Sequence, residues 1–174
     1  RSAHQFDIAG NKFEAGEKIH ELGQCNSCHF YGKVFPTGDA PTWAPNLALT
    51  KERLNPEWVT EWLKNPQAIM PGTKMPAPYI PDSEILSMEG AEKDWGSALV
   101  ALDGDTTDML NGLRDYLWDI KGDVNIDALI KNYFLENGYD FDNIGSDDEY
   151  DDDEDDDWGD DEDDDWGDDE DDDW

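Results

Sequence analysis

The stretch GQCNSCHF, residues 23–30, holds both cysteines of the 174-residue chain, with His29 directly after the second. Cys25 and Cys28 are separated by only two residues, so they cannot staple distant segments. The fold must therefore rest on an apolar core and on whatever this motif holds. Zinc would need four ligands, typically two more Cys or a paired His. The other histidines, His4 and His20, lie upstream and lack that spacing. A thioredoxin-like redox pair expects a strand-helix-strand setting, and no strand pattern precedes Cys25. Two buried cysteines that happen to neighbour a histidine form the plainest alternative. Covalent haem attachment through C-x-x-C-H accounts for all three residues together. The thiols of Cys25 and Cys28 add to the two vinyl groups of one haem c, and His29 is held beneath the iron as proximal ligand.

The rest of the chain reads as helices and long loops, an all-α class. NKFEAGEKIHELG predicts a helix with Phe13, Gly16, Ile19 and Leu22 near one face and Gly23 as its stop. NPEWVTEWLKNP predicts another, with Asn55 as N-cap, Pro56 in the first turn and Pro66 ending it. Its apolar side is Trp58, Val59, Trp62 and Leu63. Residues 30–50, the proline-rich run QAIMPGTKMPAPYIP and residues 82–105 read as loop, the last with a helical turn or two. A third helix carries Met109, Leu113, Leu117 and Ile120, with Gly122 as its C′ residue. A fourth, at 126–137, carries Ile126, Leu129, Ile130, Tyr133 and Phe134, a face expected to pack on the domain before it.

Iron held by His29 needs a sixth ligand, and methionine there is the electron-transfer arrangement. The candidates are Met70, Met75, Met88 and Met109, of which Met109 reads as core. EWLKNPQAIMPGTKMP, residues 61–76, resembles without a gap the distal-ligand segment of class I c-type cytochromes, the monohaem cytochrome c family. That resemblance covers about residues 10–122. It implies a cytochrome c-like helical domain wrapped around one covalent haem, with Met75 as the second axial ligand and Met70 as the runner-up. APNLAL is similar to the segment in which the Pro45 carbonyl accepts the Nδ1–H of His29 and Leu47 packs on the haem. Thr73 matches a residue that contacts a propionate, and Trp62 stands where a Tyr often donates to the ligand sulfur. NGLRDYL is similar to the C-terminal helix that crosses the N-terminal one near Gly16. His20 faces the haem side as a hydrogen-bonded, partly buried histidine or a rival ligand. The family's docking ring of lysines is absent.

Charge divides the chain further. Of 45 acidic residues, 22 fall between Asp147 and Trp174, where there is no Lys or Arg; the formal net is −33. The organisation is therefore a cytochrome c domain at 1–122, an extra helix and linker at 123–146, and an acidic tail at 147–174. The tail repeats every eight residues through Tyr150, Trp158, Trp166 and Trp174. Like-charge repulsion makes it disordered, or extended when counter-charged. Nucleic acid and anionic lipid, both negative, are poor partners; basic redox partners and divalent cations at the tail are expected. No apolar run is long enough to span a membrane. A chain opening with Arg1 is consistent with a removed leader or anchor.

These readings lead to an electron carrier and not an enzyme, located in the periplasm or otherwise outside the cytoplasm. Association with a membrane through a partner fits the same features. The alternatives are a haem c subunit of a quinol-oxidising complex or terminal oxidase and, from a different class, a small haem peroxidase.

Overall fold

A computed structural model describes residues 10–141. His4 and the acidic tail lie outside the described residues. Nine helices order those residues: α1 Asn11–Leu22, α2 Thr50–Arg53, α3 Pro56–Lys64, α4 Pro66–Ile69, α5 Ser83–Leu86, α6 Ala91–Trp95, α7 Ser97–Val100, α8 Thr106–Asp119 and α9 Asp127–Glu136. Short 3-10 turns at Cys25–Ser27, Ala40–Thr42 and Leu47–Leu49 shape the loops. Extended pairing among the described residues is confined to two isolated bridges, His29 with Ala44 and Tyr31 with Val34. The all-α expectation holds.

The frame is the crossing of α1 and α8. At Gly16 an added Cβ would strike the backbone of Gly112, and at Gly112 it would strike the carbonyl of Lys12. Two glycines thus let the helices touch main chain to main chain, the approach expected from Gly16 and the NGLRDYL segment. Lys12 and Asp108 bridge the same crossing at 2.7 Å. Ile19 from α1, Val59 and Leu63 from α3, and Met109, Leu113 and Leu117 from α8 fill the core behind it. Met109 is fully buried there.

Several local expectations are corrected. Leu22 does not share the buried face of α1, which consists of Ala15, Gly16 and Ile19. Pro66 ends α3 but also opens α4, because the Asn65 side chain caps the new turn by accepting from the Ala68 N–H at 3.2 Å. Residues 82–105 form three short helices, α5 to α7, and α7 packs against α1 through Ala98 and Leu99. Gly122 is not a helix terminator: α8 stops at Asp119, Ile120 is extended, and Gly122 lies against the backbone of Gly32. No residue of α9 is buried. It packs by rings instead, Tyr133 reaching Trp43 at 4.9 Å and Phe35 at 5.3 Å. Among the described residues, no helix is long and apolar enough to cross a membrane.

Candidate functional site

α1 delivers the Cys25–His29 segment. Gly23 donates its N–H to Ile19, ending the helix, and Gln24 then takes a left-handed conformation with φ 49°. The chain turns at once: the His29 N–H donates to the Cys25 carbonyl at 2.9 Å. Cys25, Cys28 and His29 thereby face one cavity of about 770 Å³, a size suited to a cofactor. The opposite wall comes from α3, α8 and the proline-rich loop after α4. All eight residues singled out in the sequence, namely Cys25, Cys28, His29, Pro45, Leu47, Trp62, Thr73 and Met75, line this cavity.

His29 is oriented by its second nitrogen. Nδ1 lies 2.7 Å from the carbonyl oxygen of Pro45, as the resemblance implied. The bridge that holds Pro45 in place starts with the Ala44 N–H donating to the Cys28 carbonyl at 2.8 Å. Burial lowers the His29 pKa, only partly opposed by that carbonyl. A neutral imidazole donating from Nδ1 keeps its lone pair on Nε2, the form a metal binds.

Cys25 lacks the lowered pKa of an activated thiol. Burial, offset in part by a backbone hydrogen bond, pushes Cys25 up to about 11. A catalytic cysteine instead needs its pKa lowered. The two cysteines are unpaired and half-buried. Among the described residues no cluster of three or more His, Cys, Asp and Glu could hold a bare metal ion.

Met75 is held from three sides. Its sulfur receives the indole N–H of Trp62 at 2.8 Å, its carbonyl receives the Gln67 amide at 2.8 Å, and its own N–H donates to Thr73 Oγ1 at 3.3 Å. The other methionines are elsewhere. Met70, the runner-up, and Met88 are 56% and 63% exposed and do not line the cavity. His20 also departs from expectation. Its ring packs on Tyr116 at 4.9 Å and Tyr31 at 5.2 Å, but its buried Nε2 has no hydrogen-bond partner. It lies outside the cavity and lines a shallower hollow beside α1.

Two residues escaped the sequence reading. Arg53 and Lys74 also line the cavity, and among the described residues no Asp or Glu does. In so acidic a chain, a carboxylate-free lining with two cations selects an anionic guest. One signal for this was legible: residues 62–81 contain Lys64 and Lys74 but no acid. Two thiols, an imidazole with a free Nε2, a fixed thioether, apolar walls and two cations together fit a haem with its two carboxylates.

No protein-family model matches the chain. It is 35% identical over 94 residues to cytochrome c oxidase subunit 2 of Bacillus subtilis (strain 168). The match takes in 48% of this chain but only 25% of that relative's length.

Proposed function

We propose that the chain is a monohaem c-type cytochrome that carries single electrons between larger redox proteins outside the cytoplasm. The observation that carries this reading is the convergence of Cys25, Cys28, His29 and Met75 on one carboxylate-free cavity, with the Nδ1 side of His29 already engaged by Pro45. When bound, the haem supplies an iron that gains and loses one electron. Cys25 and Cys28 would anchor it through thioethers; His29 Nε2 and Met75 Sδ would hold its iron. An iron held on both sides by the protein would transfer electrons without binding a substrate. Arg53 and Lys74 would neutralise the two carboxylates, and Thr73 would stand beside them. Leu47, Val59 and Leu63, which line the cavity, would keep water away from the bound group.

One measurement tests this. The purified chain should show a mass excess of one haem, retained under denaturing conditions, and a low-spin c-type spectrum. Met75→Ala should abolish the weak far-red band that methionine gives ferric haem, and Met70→Ala should not. A colourless protein of bare polypeptide mass would end the proposal, and rapid high-spin binding of cyanide would favour a peroxidase.

The similarity to an oxidase subunit supports a second reading, in which this carrier is the haem c portion of a respiratory complex. Purification from native membranes separates the two, because a subunit elutes with membrane proteins and a free carrier elutes alone.

A further inference from the structure

We propose that Trp43, clasped from outside by Tyr133 of α9, is a positioning residue for His29: it keeps the strip Trp43–Pro45 in register, so that the Pro45 carbonyl stays on Nδ1. The inference rests on the haem reading above and gives α9 a part in that site. α9 lies beyond the segment, residues 10–122, that carries the family resemblance.

The strip that bears Pro45 is zipped to the strip that bears His29. The Ala44 N–H donates to the Cys28 carbonyl at 2.8 Å, and the Leu47 N–H donates to the Phe30 carbonyl at 2.9 Å. The His29–Pro45 contact lies between these two bonds. Pro45 has no N–H of its own to add a third. The place of its carbonyl therefore depends on its neighbours in the chain, and on the N-terminal side the anchor is Trp43.

Trp43 is the hub of a ring cluster. Its indole N–H donates to the Gly38 carbonyl at 2.9 Å, which sets the direction of the ring. Phe30, the residue after His29, meets it edge-on at 5.1 Å, and Phe35 does so at 5.3 Å. The Phe30–Trp43 pair thus joins the same two strips, one residue after His29 and two before Pro45. From α9, Tyr133 approaches Trp43 at 4.9 Å and Phe134 at 5.8 Å. Tyr133 also reaches Phe35 at 5.3 Å, so it closes the cluster from outside. Tilted and edge-on ring pairs at such separations stabilise beyond their buried area.

α9 buries no residue of its own. Its contribution is therefore not core volume but the outer wall of the Trp43 site. Without the Tyr133 ring, Trp43 is packed from fewer sides, the strip opens more readily at that end, and water competes for the Pro45 carbonyl. A His29 without that acceptor loses its fixed ring orientation and part of the donor strength of Nε2.

The test uses the haem-loaded full chain in its ferrous, diamagnetic form. With Nε2 on the iron, Nδ1 keeps the one ring proton, and NMR follows its exchange with solvent deuterium. The backbone N–H of Leu113, a residue 1% exposed within α8, reports opening of the whole domain in the same samples. Tyr133→Ala should speed exchange of the His29 ring proton about tenfold, with Leu113 exchange changing less than about twofold. Tyr133→Phe keeps the ring and should exchange as the parent does. Trp43→Leu removes the hub and should exceed Tyr133→Ala in the same direction. Unchanged ring-proton exchange in Tyr133→Ala would overturn the proposal. So would an acceleration that Leu113 matches, because α9 would then add only to global stability. A chain without a haem spectrum would overturn the reading of the site, whereas either of those results on a haem-loaded chain would overturn the clasp alone.

Discussion

The indole N–H of Trp62 points at the sulfur of Met75, 2.8 Å away. A thioether is a weak acceptor, so a donor there both aims its remaining lone pair and draws electron density from it. A less electron-rich ligand favours ferrous iron. Trp62→Phe keeps the ring and deletes the N–H, so the reduction potential should fall and stability should drop by about 1 kcal/mol. A spectroelectrochemical titration and a urea melt read the two effects. An unchanged potential would mean that the contact orders the loop without tuning the ligand.

Asn46 is the tie behind His29. It is 7% exposed, and its side chain accepts from the Gly32 N–H at 2.9 Å and donates to the Gly32 and Asp123 carbonyls at 3.1 and 3.3 Å. It also caps the 3-10 turn at Leu47–Leu49 through the Ala48 N–H. One amide thus fixes the loop beyond His29, the turn beyond Pro45 and the segment following α8. Asn46→Ala strands buried backbone groups and should cost roughly 3 kcal/mol. Asn46→Asp retains the acceptor but loses the donor, so it should recover only part of that. Urea midpoints of the three proteins order the outcomes; equal midpoints would show that the tie carries no load.

The contrast between Asn46 and His29 explains what a sequence reading reaches. His29, Cys25 and Cys28 are legible as one group because they are close in sequence, and the fold turns all three into one cavity. The loop from Asn65 to Pro76 is legible through its resemblance to a segment of known sequence pattern, and Asn55 because an N-cap acts on its own next turn. Asn46 joins residues up to 77 positions apart, and no local pattern marks it. Gly122 reads as a helix stop and serves instead as the surface on which Gly32 rests. The helices α5 to α7 are four or five residues long, too short for a period to emerge. Their order comes from caps such as Asp82, which accepts from the Ile85 N–H at 2.9 Å, and from burial of Leu86 and Leu99. Arg53 and Lys74 gain meaning only when folding sets them around a wall without carboxylates.

The α1–α8 crossing should be the least tolerant point of the frame. Neither Gly16 nor Gly112 has room for a methyl group, because what each would meet is backbone, which cannot swing aside. Gly112→Ala should therefore destabilise the domain by about 3 kcal/mol or more through forced separation of the helices. Ala favours helix over Gly by nearly 1 kcal/mol, so any local propensity acts in the opposite direction. Gly72→Ala is the matched control, since its surroundings are open; its φ of +87° limits the cost to backbone strain. Thermal melts in which Gly112→Ala is no worse than Gly72→Ala would contradict the packing described for this crossing.

His20 makes stability depend on acid. Burial, and secondarily the charge of His29, lowers its pKa from 6.5 to about 4. The folded protein thus refuses a proton that the unfolded chain accepts. Below pH 6.5 the unfolded state binds more protons, so folding stability falls as pH drops, and the loss is complete near pH 4. Its size should be on the order of 2 kcal/mol, below the full linkage value because solvent reaches part of the ring. His20→Phe removes both the titration and the unpartnered Nε2 while keeping the packing on Tyr31 and Tyr116. The variant should be more stable by about 1 kcal/mol at pH 7, and its advantage should widen steadily between pH 6.5 and 4. Urea melts across that range, on both proteins, give the two curves. Parallel curves would mean that His20 is protonated in the fold as readily as outside it, and that the buried nitrogen has found a partner.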